Sequence, residues 1–156
     1  MNLFGFIKEN IRLLIGAAVV LFIGLLIITF VMSKKATQVT VNDKIFNVSI
    51  AKTEKERQTG LSNTEKLSEN QGMLFIFDKP DFYSFWMKNM DYPIDIIYIN
   101  GDKVTTVIEN AKPGTSEANL EIYQPDSESN KVLEINGGLA KKYNIKKGTI
   151  IKTGSL

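Results

Sequence analysis

The residues best placed to do chemistry stand close together in the chain: Trp86, Lys88, Asn89 and Asp95, with Arg57 further upstream. As a reaction centre, Asp95 would act as acid or base, Lys88 would stabilise developing negative charge, and Asn89 would donate a hydrogen bond. That is the equipment of a carboxylate-dependent hydrolase or lyase, and a second carboxylate at a suitable distance would extend it to glycoside cleavage. As a binding patch, Trp86 offers an aromatic platform, and Lys88, Asn89, Asp95 and Arg57 offer the convergent polar groups that orient a ligand. The third reading is structural: Lys88, Asn89 and Asp95 hold the turn through Tyr92-Pro93, because Asn and Asp satisfy backbone groups in turns, and Trp86 fills the core.

Asp95 carries most of this choice. In an extended strand from Ile94 to Ile99, alternation places it on the face of Ile97 and Ile99. A buried carboxylate without a partner costs several kcal/mol or stays protonated. Asp95 therefore needs a partner, and Lys88 and Arg57 are the candidates. Glu56 is most simply the second half of a capping box with Thr53, which leaves Arg57 spare for a ligand or for Asp95.

What the chain lacks narrows the chemistry further. It contains no cysteine and no histidine, which removes disulfides, thiol nucleophiles, Ser-His-Asp triads, His-held haem and His/Cys zinc sites. Asp78, Asp81 and Asp91 stand near turns but lack the alternating spacing of a calcium-binding loop, so no metal is expected there. Neither a Gly-x-x-x-x-Gly-Lys phosphate loop nor a Gly-x-Gly-x-x-Gly fingerprint occurs. No cofactor is expected. Asn47-Val48-Ser49 matches a glycosylation acceptor, but three-residue matches are frequent by chance and this one lies inside an expected strand.

Charge is informative once divided by region. The 156-residue chain has a formal net charge of +2, yet residues 37–156 carry 15 basic and 16 acidic side chains, a net of −1. A nucleic-acid binder needs a basic excess on its folded part, so no nucleic-acid partner is expected. The positive balance comes from Lys8, Arg12, Lys34 and Lys35, which bracket the block Leu13 to Met32, twenty residues without a charged side chain. At about 1.5 Å per helical residue this block spans a hydrocarbon core of roughly 30 Å. It is longer than the apolar region of a secretory signal, which favours a retained membrane anchor over a cleaved leader. Val31, Met32 and Ser33 still allow a small-x-small cleavage site. The flanking positive charges are equal in number and set no orientation by themselves. Because long domains translocate largely regardless of charge, residues 1–12 are expected as a short cytoplasmic tail and the C-terminal domain outside the cytoplasm. Gly16 and Gly24 stand eight residues apart, wider than the four-residue spacing of a helix-packing face.

The elements that must position these residues are mostly short strands. After a linker and first strand over 33–43, the remaining residues, 44–156, read as one compact β-rich domain. Thr37 to Val41, Asn42-Asp43 and Lys44 to Ala51 form an expected hairpin with Phe46, Val48 and Ile50 on one face. Ile94 to Ile99, an Asn100-Gly101 turn and Lys103 to Glu109 form a second. Met73 to Phe77, Tyr83 to Met87, Lys131 to Ile135 and Thr149 to Lys152 are further strands. Two short helices interrupt them: one opened by Thr53 and closed by Gly60, the other over Gly138 to Tyr143. Phe75, Phe77, Phe85, Met87, Ile96 and Leu133 are the expected core. Such spacing predicts a mainly β fold, either a β-sandwich of jelly-roll kind or a partly closed barrel, preceded by a single transmembrane helix.

Several runs in this domain are more specific than their elements. Ala51-x-Thr53-x-x-Glu56-Arg57-x-x-Gly60-Leu61, Gly72-Met73-Leu74-Phe75-Ile76-Phe77, Phe85-Trp86-Met87-Lys88-Asn89 and Pro93-Ile94-Asp95-Ile96 are four of them. Together with Val132-Leu133-Glu134, Gly137 and Gly148, they resemble the domain-of-unknown-function 192 family over nearly all of residues 44–152. The chain departs from that pattern at Ser62-Asn63-Thr64, where Met and then Arg are common, and at Met90, where Thr is usual. The resemblance implies a compact, mainly β prokaryotic domain often found behind a signal or anchor, with no established activity. The expectation is then a membrane-anchored extracytoplasmic binding or accessory module of the cell envelope. Its partners would be a lipid bilayer through residues 13–32 and a small molecule, glycan or peptide at Trp86. A hydrolase or lyase using Asp95 and Lys88, and a purely structural envelope protein with no pocket around Trp86, are the alternatives.

Overall fold

The computed structural model describes residues 11, 15–24, 37–114 and 121–154, in two compact units, Met1–Lys35 and Ala36–Leu156. In the first unit, residues 15–24 are helical and Ile15, Val20, Leu21 and Phe22 are exposed. Among the described residues no helix is long and apolar enough to cross a membrane. The expected span over 13–32 lies partly outside them, at 13, 14 and 25–32, as do the tail before it and the linker to residue 36.

The second unit is mainly β. Its strands are β1 (Thr37–Val41), β2 (Lys44–Ala51), β3 (Gln71–Asp81), β4 (Phe85–Trp86), β5 (Ile94–Asn100), β6 (Lys103–Ala111), β7 (Ile122–Tyr123), β8 (Ser129–Asn136) and β9 (Ile151–Thr153). Helix α1 (Glu54–Thr59) lies between β2 and β3, and α2 (Leu139–Lys142) between β8 and β9. Seven strands form one sheet in the order β6-β5-β8-β3-β2-β1-β9, and β4 and β7 form a separate pair. Only β2 and β3 run parallel, joined by the α1 crossover; every other neighbouring pair is antiparallel.

The sheet curls until its two edges touch at one end. Lys103 bridges Ile150, and Val104 N donates to Thr149 O (2.9 Å) while Gly148 N donates to Val104 O (2.8 Å). The result is a half-barrel, so of the two expected architectures the partly closed barrel is the one formed. One face of the sheet collects Val39, Phe46, Leu74, Ile99, Val104 and Ile151, which come from both edges and the middle, as only an inner face can. The other face carries Phe75, Ile96, Tyr98 and Val132, covered by Leu61, Met87, Met90, Tyr92 and Tyr123. β5 and β8 are therefore buried on both sides, and every β5 residue except Asn100 is buried.

Local chemistry explains the elements. Asn42 and Asp43, at φ 44° and 67°, make the two-residue β1–β2 turn whose positive φ values match the twist of a hairpin. In the second hairpin the loop is Gly101-Asp102, one residue later than expected, because Asn100 pairs with Lys103 and Gly101 supplies φ 63°. α1 has the full capping box. Glu56 N donates to Thr53 Oγ1 (3.3 Å) and Thr53 N to Glu56 Oε2 (2.8 Å). The strand expected over Tyr83 to Met87 shrinks to Phe85–Trp86, since Lys88 and Asn89 form a turn with Asn89 at φ 55°.

Candidate functional site

β4 is too short to join the main sheet, and with β7 it lies over the outer face. Phe85 pairs with Tyr123 and Trp86 with Ile122. Alternation sends Phe85 inward, edge-on to Phe75 (5.0 Å) and Tyr98 (5.9 Å). It sends Trp86 outward, where 52% of its surface stays exposed. Between this layer, α1 and the sheet lies a cavity of about 660 Å³. Five aromatic residues line it, Phe75, Phe77, Tyr83, Phe85 and Trp86, with Leu61, Met87, Met90 and Ile94 completing the apolar surface.

Arg57 forms part of the wall and is held on several sides. Its Nη1 donates to the carbonyls of Lys52 and of Ile76 (3.1 Å), and its Nη2 lies 3.1 Å from Glu54 Oε2. Its guanidinium sits 5.2 Å over the ring of Phe77, which in turn stacks on Tyr83 at 3.6 Å. α1 can approach this closely because its C-cap is Gly60, at φ 49°. A Cβ there would already lie 3.3 Å from Phe75 Cζ.

The remaining cavity residue of consequence is Glu134, in the middle of β8. Its neighbours across the sheet are Met73 and Ile96, so it stands on the apolar outer face, and only 5% of its surface is exposed. Among the described residues nothing donates a hydrogen bond to its carboxyl. Burial alone pushes it up to about 8. At neutral pH the cavity thus contains a mostly protonated carboxylic acid, able to donate one hydrogen bond and to accept others. Among the described residues no cluster of three His, Cys, Asp or Glu is gathered as a metal would require.

Of the five residues singled out from the sequence, the cavity unites Arg57 and Trp86. Lys88 and Asn89 lie in the turn beyond β4, outside the lining. The carbonyl of Lys88 accepts from Ser62 Oγ (2.9 Å), and that of Asn89 from Asn63 N (2.8 Å). Asp95 lies on the inner face with none of its surface exposed. Its partner is neither Lys88 nor Arg57. Oδ1 accepts from Asn110 N (2.8 Å) and Gly138 N (3.0 Å), and Oδ2 from Ala140 N (2.7 Å). Three backbone N–H groups, two of them at the start of α2, satisfy the carboxylate without a cation. Gly137 makes this approach possible: a Cβ there would lie 2.7 Å from Asn110 Oδ1 and 3.1 Å from Pro93 O.

Sequence reasoning passed over Glu134, although a signal was present. Within Lys131 to Ile135, alternation puts Glu134 on the face of Val132, and nothing in a strand apolar on both sides offers it a partner. Phe77 and Phe85, expected in the core, are instead partly buried walls of the cavity.

The chain is similar to known sequences and structures. A crystallised protein of unknown function from Novosphingobium aromaticivorans DSM 12444 is similar at 33% identity with a TM-score of 0.68, over 74% of this chain and 83% of its own. A protein from Sinorhizobium meliloti 1021, proposed as a transcription regulator, is similar at 26% identity with a TM-score of 0.67, over 75% of this chain and 91% of its own. No curated protein gives a significant match. The profile of DUF192, described as "Uncharacterized ACR", matches residues 37–153, and the chain belongs to that family.

Proposed function

We propose that residues 37–153 form a binding module that seats a small molecule in the aromatic cavity beside Glu134. The observation that carries this is a roughly 660 Å³ space walled by five aromatic residues, with Glu134 in its lining and, among the described residues, no hydrogen-bond donor to that carboxyl. A purely structural role predicts no pocket at Trp86. Catalysis by Asp95 and Lys88 would need both at a cleft, whereas Asp95 is occupied by backbone groups on the opposite face. The net charge of −1 over residues 37–156 supports a ligand other than nucleic acid.

Trp86 is the only tryptophan, so its fluorescence reports on the mouth of this cavity. A broad screen of small molecules against the full-length chain, read by Trp86 emission and melting temperature, should yield compounds that move both. Trp86→Ala, followed by melting temperature because it removes the fluorescent reporter, should weaken their binding. A screen that moves neither signal refutes the proposal.

We further propose that residues 13–32 tether this module to a membrane with the domain outside the cytoplasm. The support is the uncharged apolar sequence and the exposed apolar side chains of residues 15–24. Protease added to spheroplasts should digest the domain, and full protection would overturn the orientation.

A further inference from the structure

We propose that the cavity takes an organic cation, an amine or quaternary ammonium group on an apolar or aromatic body, with its charge beside Glu134. This rests on the cavity-binding reading and adds the ligand's chemical class.

Two independent features of the site point the same way. The first is the lining, since Phe75, Phe77, Tyr83, Phe85 and Trp86 present ring surfaces whose faces attract positive charge. Arg57 over Phe77 already shows one cation held in this manner. The second is the pairing of the charged groups in the lining. Both basic residues of the lining have carboxylate partners, Arg57 with Glu54 at 3.1 Å and Lys79 with Asp81 at 3.6 Å. Of the lining carboxyls, Asp78 and Glu134 have none among the described residues. An anionic ligand would meet the carboxyl of Asp78 and, among the described residues, no lining cation without a carboxylate partner. A neutral ligand would satisfy the hydrogen bonding of Glu134 but use none of the ring electrostatics. A cation uses both.

The cation binds the ionised form of Glu134, so binding expels the carboxyl proton to solvent. The charged or titratable groups that line the cavity with it are Glu54, Arg57, Asp78, Lys79 and Tyr83, and Tyr98 of β5 lies near enough for the Glu134 charge to push its hydroxyl up, after burial. Burial holds Glu134 at about 8. Its ionised fraction, and with it the affinity for a permanent cation, rises about tenfold from pH 7 to pH 9. A ligand that accepts a hydrogen bond from the neutral acid would weaken over the same range.

The test titrates the full-length chain in mild detergent with benzyltrimethylammonium, benzyl alcohol and benzoate at pH 7 and pH 9, following Trp86 fluorescence. The expected result is that the cation binds most tightly, gains about tenfold in affinity between the two pH values, and loses that gain in Glu134→Gln. Equal binding of cation and alcohol, or a cation affinity independent of pH in the wild type, overturns the cation assignment and leaves the binding cavity standing. Failure of all three probes to bind at millimolar concentration overturns both. Should Glu134→Gln not fold, the wild-type pH series decides alone.

Discussion

Replacing Asp95 by Asn changes the side chain by almost nothing in shape and removes its charge. Oδ1 holds Asn110 N and Gly138 N, and Oδ2 holds Ala140 N, with the carboxylate fully buried. The best an amide can do is keep its oxygen toward the first two donors. Those bonds then fall from charge-assisted, at about 1.5–3 kcal/mol each, to ordinary ones of about 0.5–1.5 kcal/mol. The amide nitrogen meanwhile turns a donor toward the Ala140 N–H, which is left buried and unsatisfied at about 1–3 kcal/mol. Relief from burying a charge offsets part of this, and the expected net loss is about 3 kcal/mol. Urea unfolding of the full-length chain in mild detergent, followed through Trp86, measures it. With a slope of about 1–3 kcal/mol per molar, the midpoint falls by at least about 1 M. Amide exchange at Asn110, Gly138 and Ala140 should accelerate in the same variant. Unchanged or raised stability would refute the reasoning and mean that the charge is kept for something other than folding.

Glu134 behaves in the opposite sense. The folded state keeps a proton up to about pH 8 that an ordinary carboxyl near 4.5 has released, so stability falls as pH rises between these values. Glu134→Gln should remove that fall and be the more stable protein at pH 8 by on the order of 4 kcal/mol; parallel urea midpoints from pH 5 to 9 would contradict this. Gly72→Ala places a Cβ 2.7 Å from the backbone oxygen of Glu134 and 3.1 Å from Ile135 Cγ2. Because a paired strand cannot easily recede, a loss of roughly 1–3 kcal/mol in urea unfolding is expected. Hydrogen bonds from Lys142 and Tyr143 hold the exposed Glu69 down to about 2. An NMR titration should find it there in the wild type and nearer the ordinary range in Lys142→Met.

The parts of this fold legible in the sequence are those decided by neighbours in the chain. The Asn42-Asp43 turn and the Thr53–Glu56 capping box each depend on a few consecutive residues and form as read, while Gly60 ends α1 at φ 49° and ψ −134° rather than in a left-handed cap. Burial of Phe75, Met87, Ile96 and Leu133 follows from alternation in the same way. What escaped reading is decided by contacts distant in sequence. Asp95 shares a face with Ile97 and Ile99, as alternation requires, but its donors come from Asn110, Gly138 and Ala140, brought in by the β6 hairpin and by α2. Side-chain cations were the obvious partners to seek; backbone N–H groups carry no signature of their own. The cavity is still less local, because its walls come from α1, β3, β4 and β8, and Arg57 and Trp86 meet there only through the fold.

The two buried carboxyls differ more sharply in their hydrogen-bond donors than in their burial. They sit on adjacent paired strands, Asp95 opposite Ile135 and Glu134 opposite Ile96, one pair apart and on opposite faces of the same sheet. Asp95 and Glu134 are 0% and 5% exposed, so accessibility hardly distinguishes them. The count of donors does. Asp95 has three, which leaves it fully engaged and with nothing to offer a ligand. Glu134 has none among the described residues and opens onto a cavity, so it destabilises the ionised fold at higher pH, and under the proposed reading its partner is the molecule that enters. Had folding been the only requirement at position 134, an apolar residue like its neighbours Met73 and Ile96 would have met it without that loss.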